Sequence, residues 1–222
     1  MKLAISGASG KTGYRVCEEA KAKGINIRLL VRKSSEVPAS LQSSEQYIID
    51  LNNQQSLDAG LKDCDSLIIA TGARPNIDLT GPARIDACGV RNQVNACIRN
   101  DVKRIILVSS LCTGKLFHPL NLFGLILIWK RLGERELENS QLDWTIIRPG
   151  GLNEEEDQLN RQSILYTSRN TQQEGSIPRR LVAKTCVEAL NTKSSIRQII
   201  EITSNETTKQ ISMEKALKTF KV

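Results

Sequence analysis

Short apolar runs alternate with amphipathic stretches along the first two thirds of the chain. The apolar runs predict strands at Lys2–Ser6, Ile25–Val31, Gln46–Asp50, Ser66–Ala70, Lys103–Ser109 and Trp144–Arg148. Apolar positions at helical spacing predict helices at Thr12–Lys23, Ser56–Leu61, Ile85–Asn100 and Leu122–Asn139. Because nearly continuous apolar strands followed by helices are typical of a parallel sheet covered on both faces, the pattern predicts a doubly wound α/β fold.

The last seventy residues are more polar than the rest. Asn153–Gln173 is predicted to be irregular, with the acidic run Glu154–Asp157 in a solvated loop. A helix at Arg179–Leu190, a strand at Gln198–Ile202 and a helix at Ser212–Phe220 follow. We interpret the chain as one domain spanning 1–222, in which 153–222 form a small cap against the carboxyl ends of the sheet.

Composition and charge indicate which kinds of molecule the protein binds. Lys and Arg total 31 and Asp and Glu total 24, which gives the 222-residue chain a net charge of +7. Because aromatic residues are only 4% and the basic residues are scattered, nucleic acid is not the expected partner. An anionic small molecule or an acidic partner surface is favoured. No apolar run reaches the roughly 20 residues that a membrane-spanning helix needs.

The six cysteines form no C-x-x-C pair and mostly have apolar neighbours. They are therefore predicted to be buried, reduced thiols, which fits an intracellular protein. Met1 runs directly into the first strand, so we expect the cytoplasm, or the plastid stroma if a leader was removed. With a single histidine, the chain offers no ligand cluster for a metal.

The strongest motif is a glycine-rich turn between the first strand and the first helix. It comprises Gly7, Ala8, Ser9, Gly10, Lys11, Thr12 and Gly13. Glycines at this spacing allow a tight turn, close approach of backbone to a pyrophosphate, and close packing of helix on sheet. The turn therefore predicts dinucleotide binding. A P-loop would need another glycine five residues before Gly10, where Ile5 stands.

Residues after the next strands indicate which dinucleotide is bound. Arg32 and Lys33 follow the second strand, where NAD enzymes usually offer an acid and NADP enzymes a base, so NADP(H) is predicted unless both are solvated surface cations. Asp50 and Leu51 follow the third strand, where Asp50 either contacts the adenine or caps the next helix. Ala70, Thr71 and Gly72 end the fourth strand beside the glycine-rich turn, where small residues allow close approach to ribose and phosphate.

Several segments together resemble the atypical short-chain dehydrogenase/reductase family. They are the glycine-rich turn, Ile85-Asp86 before Gly89-Val90-x-Asn92, the run Val102–Ser110 and the run Leu142–Leu152. The likeness covers residues 1–152 well and 175–190 more loosely. Within the family it is nearest to the NADPH-dependent flavin and biliverdin reductases and to the NADP-binding domain of plastid and cyanobacterial proteins, including an envelope translocon subunit. The resemblance implies a Rossmann-type sheet with strand order 3-2-1-4-5-6.

Family members with full chemistry use a serine, a tyrosine proton donor and a lysine four residues after it. By this resemblance Lys130 occupies the lysine position, and Ser109 or Ser110 the serine position. Ile126 stands at the tyrosine position and has no proton to donate. Lys130 either contacts the nicotinamide ribose or lies on a solvated helical face. The resemblance also implies that Pro149, Gly150 and Gly151 present backbone groups to the nicotinamide amide.

The segment Leu116–Trp129 is unusually apolar. It either lines a substrate pocket, forms a dimer face, touches a membrane surface or belongs mostly to the core. His118 within it is a weaker candidate for a proton donor. The leading hypothesis is an NADPH-dependent reductase of a planar, conjugated acceptor such as a flavin or bilin. The alternative is a non-catalytic NADP-binding module that senses redox state and docks on a protein complex or membrane.

Overall fold

The chain forms a central sheet with helices on both faces. The computed structural model describes residues 1–73, 79–115, 117–122, 124–172 and 174–220. Its strands are β1 (Lys2–Ser6), β2 (Asn26–Val31), β3 (Glu45–Ile48), β4 (Ser66–Ile69), β5 (Arg104–Val108), β6 (Asp143–Pro149), β7 (Gly151–Asn153), β8 (Ser163–Ser168), β9 (Ser176–Pro178) and β10 (Gln198–Asn205). Its α-helices are α1 (Gly13–Ala22), α2 (Gln54–Leu61), α3 (Val90–Arg99), α4 (Ile126–Glu138), α5 (Arg179–Asn191) and α6 (Met213–Leu217). A π-helical segment, Ala83–Gly89, runs directly into α3, and short 3-10 helices cover Ala39–Leu41, Pro119–Leu122 and Lys193–Ser195.

The strand order of the main sheet is β3-β2-β1-β4-β5-β6-β10-β8. Every neighbouring pair is parallel except β10 and β8, which are antiparallel. The first six positions confirm the predicted order 3-2-1-4-5-6 and the doubly wound fold. The order reverses between β1 and β4, so a crevice opens there at the carboxyl ends of the strands, where such sheets bind ligands.

Two separate clusters of apolar side chains cover the two faces of the sheet. Leu3 and Ile5 of β1 belong to one cluster, and Ala4 between them belongs to the other. The first cluster includes apolar residues of α1 and α5, and the second includes those of α2, α3 and α4. Because successive side chains of a strand point to opposite faces, a strand buried on both faces must be apolar throughout.

The C-terminal residues mainly extend the sheet. β10 lies beside β6, and α5 packs on α1. The expectation that Asn153–Gln173 is irregular is wrong for β8, which pairs with β10 at the edge of the sheet. Most side chains of β8 are only half-buried, and its short apolar run Ile164–Tyr166 is flanked by serine and threonine, so its apolar signal is weak. Gln173 lies outside the described residues, and the single-domain boundaries remain a prediction.

Two predicted helices begin differently from the expectation. The helix expected from Leu122 begins at Ile126, because Leu125 has a φ of +56° and so does not continue a right-handed helix. The helix expected over Ile85–Asn100 exists, but Ala83–Gly89 has π geometry rather than α geometry. A π segment is uncommon and often marks a functional site.

The cysteines behave largely as predicted. All six are free, five are buried, and Cys88 is half-buried. Burial raises the pKa of the Cys17 and Cys186 thiols to about 12, so both are neutral and unreactive at physiological pH. Among the helices formed by the described residues, we find none with the length and apolar character needed to cross a bilayer.

Candidate functional site

The glycine-rich turn has the geometry that its sequence predicts. Gly7 has a φ of +80°, and a Cβ there would lie 3.0 Å from the carbonyl carbon of Ala70. A Cβ at Gly13 would lie 2.0 Å from the carbonyl oxygen of Gly7, so only glycine lets α1 start this close to β1. The Gly10 amide donates a hydrogen bond to that same oxygen at 2.8 Å. The turn therefore brings the start of α1 directly beside the end of β1, and the N-terminus of a helix in this position is a ready site for a phosphate.

The carboxyl ends of β2 and β4 flank this turn. The Gly7 amide donates to the Leu30 carbonyl at 3.3 Å, and the Ala70 amide donates to the Ser6 carbonyl at 2.9 Å. Arg32 and Lys33 follow β2 directly, and both side chains are exposed. Neither side chain is in an ion pair with any residue in the described part of the chain. Two cations are thus free beside the predicted ribose position.

Asp50 does not cap the helix that follows it. The N-cap of α2 is Asn53, whose side chain accepts from the Ser56 amide. The Asp50 carboxylate instead accepts from the Asn52 amide at 2.9 Å. The Leu51 side chain packs against Gly89, where a Cβ would lie 2.9 Å from its Cδ1. The contact of Asp50 with adenine stays a prediction.

The acidic run after β7 is an irregular and largely exposed segment, as predicted, but two of its carboxylates pair with cations of the glycine-rich turn and α1. Glu154 pairs with Lys11, and Glu156 pairs with Arg15. Arg180 of α5 joins Glu156 at 3.1 Å. The hydrogen bond from Lys11 lowers the pKa of Glu154 below its ordinary value. Sequence reasoning missed these pairs because their members are more than 140 residues apart.

The second half of the site is a narrow cleft at the carboxyl ends of β4 and β5. Its lining residues are Thr71, Asp86, Val90, Leu107, Val108, Ser109 and Lys130. Ser109 is buried in this lining, and its hydroxyl lies 3.4 Å from that of Thr113. Ser110 does not line the cleft. The structure thus brings Ser109 and Lys130 together, and of the two serines Ser109 is the better candidate.

Lys130 is not on a solvated helical face. Its ammonium group lies 2.8 Å from Asp86 Oδ1, and the two side chains are 14% and 3% exposed. Asp86 Oδ2 also accepts from the Ala73 amide at 3.1 Å. Sequence reasoning did not select Asp86 as a site residue, although it belongs to the Ile85-Asp86 motif that supports the family resemblance. Its position within the π segment is what the sequence pattern could not show.

Ile126, four residues before Lys130, is buried in the first turn of α4. It contributes no proton donor to the cleft. His118 lies in the segment before α4 and is not in the cleft lining. Within the described part of the chain, no three His, Cys, Asp or Glu side chains are grouped as metal ligands would be.

The backbone after β6 is less available than the resemblance implies. The Gly150 amide donates to the Ile202 carbonyl at 2.9 Å, and the Gly151 amide donates to the Gly175 carbonyl at 2.8 Å. The Pro149 carbonyl accepts from the Leu111 amide at 2.9 Å. These amides are engaged by the protein's own backbone, so they are not free donors for a nicotinamide.

A buried ion network fixes α4 behind the cleft. Arg148 of β6 donates to Glu134 of α4 at 2.8 and 2.7 Å and to Glu201 of β10 at 3.3 Å. None of the three side chains is more than 1% exposed. Glu201 also accepts from the backbone amides of residues 170–172. The helix that carries Lys130 is therefore tied to two strands of the sheet.

The apolar segment before α4 is only partly core. Ile126 and Leu127 are buried, whereas Phe117 is 97% exposed and Leu122 is 82% exposed. Trp129 is half-buried. Leu116, Phe123 and the side chain of Leu120 lie outside the described residues. Exposed large apolar side chains are typical of a binding surface where they form one patch.

The residues present fit a nicotinamide dinucleotide. The Thr71 hydroxyl is buried in the cleft and has no hydrogen-bond partner among the described residues, so a ligand hydroxyl or amide would satisfy it. The glycine-rich turn at the start of α1 would hold the pyrophosphate. Lys130 and Ser109 would then lie at the nicotinamide end.

Comparison with known proteins agrees with this geometry. A family model described as NAD(P)H-binding matches residues 7–193. The chain therefore belongs to this NAD(P)H-binding family of oxidoreductases, within the atypical short-chain dehydrogenases/reductases.

Three relatives of known sequence are similar to this chain over most of its length. The chain is 33% identical to the uncharacterized chloroplastic protein At2g34460 of Arabidopsis thaliana, over 90% of this chain and 76% of the relative. It is 31% identical to chloroplastic TIC 62 of Pisum sativum, over 96% of this chain but only 45% of that longer relative. It is 29% identical to sanguinarine reductase of Eschscholzia californica, over 86% of this chain and 84% of the relative.

A solved structure shares the whole fold. An NAD-dependent epimerase/dehydratase candidate from Bacillus halodurans superposes with a TM-score of 0.85 at 26% identity, over 98% of this chain and 99% of that chain. The C-terminal strands and helices are therefore part of an architecture that the neighbour also has.

Proposed function

We propose that the protein is an NADPH-dependent reductase whose acceptor is planar and conjugated, such as a flavin or a bilin. The observation that carries the proposal is the convergence of Thr71, Ser109 and Lys130 on one cleft beside the glycine-rich turn. When bound, NADPH supplies a hydride to the acceptor, and the protein's part is to bind and orient the two.

The preference for NADPH over NADH rests on Arg32 and Lys33. Both are exposed cations at the carboxyl end of β2, where the Arg32 guanidinium group would pair with a 2′-phosphate. No acid stands there to accept from a free ribose hydroxyl.

The absence of a tyrosine at position 126 supports the choice of acceptor. Isolated carbonyl groups need strong acid assistance, whereas an extended conjugated acceptor spreads the electrons it receives. Val90 and Leu107 contribute apolar side chains to the lining of the cleft. The relative from Eschscholzia californica is named for reduction of sanguinarine. A plastid location, by analogy with the chloroplastic relatives, is part of the same proposal.

The test is a turnover assay with the purified chain. NADPH is mixed with riboflavin, biliverdin and a set of planar quinones, and oxidation is followed by loss of the reduced nicotinamide absorbance. We expect saturable oxidation with at least one acceptor and much slower oxidation of NADH. Tight NADPH binding with no oxidation by any acceptor would contradict the proposal.

One observation favours the second candidate function, a non-catalytic NADP-binding module that docks on another surface. Phe117 and Leu122 are almost fully exposed, and Leu79 and Leu125 are also exposed. If this surface docks a partner, Phe117→Ser with Leu122→Ser will weaken that association and leave NADPH affinity unchanged. If instead it admits the acceptor, the double variant will raise the KM for the acceptor.

A further inference from the structure

The Lys130–Asp86 pair is held in place by close backbone packing from two sides. A Cβ at Gly133 would lie 2.1 Å from the Asp86 carbonyl oxygen, so α4 lies directly against the π segment. Gly133 is three residues after Lys130, on the same face of the helix. On the other side, a Cβ at Gly72 would lie 3.6 Å from Lys130 Nζ and 3.7 Å from Asp86 Oδ1. The backbone after β4 therefore passes beside both charged groups.

The position of the Lys130–Asp86 pair indicates a role in the reaction as well as in the fold. A buried ion pair usually adds little stability beyond what apolar side chains of similar size would give. Lys130 and Asp86 nevertheless line the same cleft as Thr71 and Ser109, and the carboxylate that holds the lysine comes from a π segment. Both side chains therefore border the cleft that we assign to the nicotinamide end of the site.

We propose that Lys130 donates the proton that a neutral acceptor requires, and that Asp86 is the positioning residue that directs the ammonium group into the cleft. The proposal rests on the reductase function proposed above. In it, Lys130 takes the role of the tyrosine proton donor, because Ile126 stands at the tyrosine position. Asp86 keeps two contacts, to Lys130 Nζ and to the Ala73 amide, so it fixes the lysine relative to the end of β4.

The proton balance follows from the charge of the acceptor. A hydride brings two electrons, so a neutral quinone is left with a negative oxygen. One N–H bond of Lys130 breaks and one O–H bond forms on that oxygen, after which the neutral amine regains a proton from water. A cationic acceptor becomes neutral on accepting a hydride and needs no proton. Comparing the rates with the two kinds of acceptor therefore distinguishes proton donation by Lys130 from a role of Lys130 in binding.

The experiment compares phenanthrenequinone, which is neutral, with N-methylacridinium, which is a cation of similar size and shape. Lys130→Arg keeps the positive charge and its donors, but a guanidinium does not release a proton near neutral pH. We expect Lys130→Arg to lower kcat/KM for the quinone by about 100-fold. We expect little change for N-methylacridinium and an unchanged Kd for NADPH, measured by fluorescence titration without any acceptor.

Asp86→Asn tests the positioning role. It removes the charge that holds Lys130 but keeps the size of the side chain. We expect the ratio of the quinone rate to the N-methylacridinium rate to fall about tenfold, and Asp86→Glu to restore part of it. Asp58→Asn is the matched control, because Asp58 pairs with Arg99 on α3 and does not line the cleft. The melting temperature of each variant identifies any loss that comes from unfolding.

Three results would overturn the proposal, each in a recognisable way. Equal losses for the two acceptors in Lys130→Arg would mean that the lysine only binds or orients. An unchanged rate ratio in Asp86→Asn would remove the positioning role. A wild-type protein that binds NADPH but reduces neither these two acceptors nor the flavin and bilin of the turnover assay would contradict the reductase function itself, and this inference would fail with it.

Discussion

The two halves of the site are built from different kinds of interaction. The nucleotide half depends on backbone geometry within a few residues, since Gly7, Gly10 and Gly13 make one turn. The cleft half depends on buried charges that are distant in sequence, since Lys130 and Asp86 are 44 residues apart and Arg148 and Glu201 are 53 apart. The difference suggests that substitutions of glycine should damage the first half, and substitutions of charged residues the second.

The largest effect is expected in the network behind the cleft. Arg148→Met leaves Glu134 and Glu201 as buried carboxylates without their cation, which should lower the free energy of unfolding by about 3–5 kcal/mol. Urea unfolding measures this value. Arg99→Met is the control, because its pair with Asp58 is about one third exposed and should contribute less than about 1 kcal/mol. Equal losses in the two variants would contradict the importance of the buried network.

In the nucleotide half, the largest effect is expected from a substitution of glycine in the turn. Gly13→Ala places a Cβ 2.0 Å from the Gly7 carbonyl oxygen and forces α1 away from β1. We expect a loss of stability of about 1–3 kcal/mol and a large loss of NADPH affinity. Gly24→Asn is the control, because Gly24 has a φ of +70° with no atom near its Cβ position, and asparagine tolerates that conformation. Unchanged NADPH binding in Gly13→Ala would contradict the role of the turn.

The sequence pattern predicts the nucleotide half of the site better than it predicts the cleft half. The order of the first six strands and the glycine-rich turn could be predicted, because most of these strands are apolar on both faces and the three glycines lie close together in the chain. Asp86, Glu154 and Glu156 could not be predicted as partners of their cations, because those pairs form only when distant segments meet. β8 was missed because a half-buried edge strand has a weak apolar pattern.

A smaller effect is expected for the cofactor preference. Arg32→Ala should weaken NADPH binding by about tenfold, which is the value of one charge-assisted hydrogen bond, and leave NADH binding unchanged. The protein's stability should not change, since the side chain is exposed. Fluorescence titration of both nucleotides measures the effect, with Lys62→Ala as a control at an exposed site outside the crevice. A parallel loss for NADH would show that Arg32 does not contact the 2′-phosphate.

The smallest effect concerns the acidic run. Burial raises the pKa of Glu156, but hydrogen bonds from Arg15 and Arg180 lower it by more than burial raises it. The pKa of Glu156 therefore lies below its ordinary value. The stabilisation is therefore present above the unfolded pKa of about 4.3 and is lost as the pH falls through the folded value. Glu156→Gln should cost about 1 kcal/mol at neutral pH and progressively less in acid, measured by thermal unfolding. A cost that does not shrink in acid would contradict the ion pairs.

The most direct test of the account is titration of the purified chain with NADPH and NADH under identical conditions. We expect saturable binding of NADPH, with NADH at least about tenfold weaker, because only NADPH offers the 2′-phosphate that Arg32 would meet. Equal affinity for the two nucleotides would contradict the assignment of Arg32. Failure to bind either one would contradict the nucleotide site itself, and with it both candidate functions.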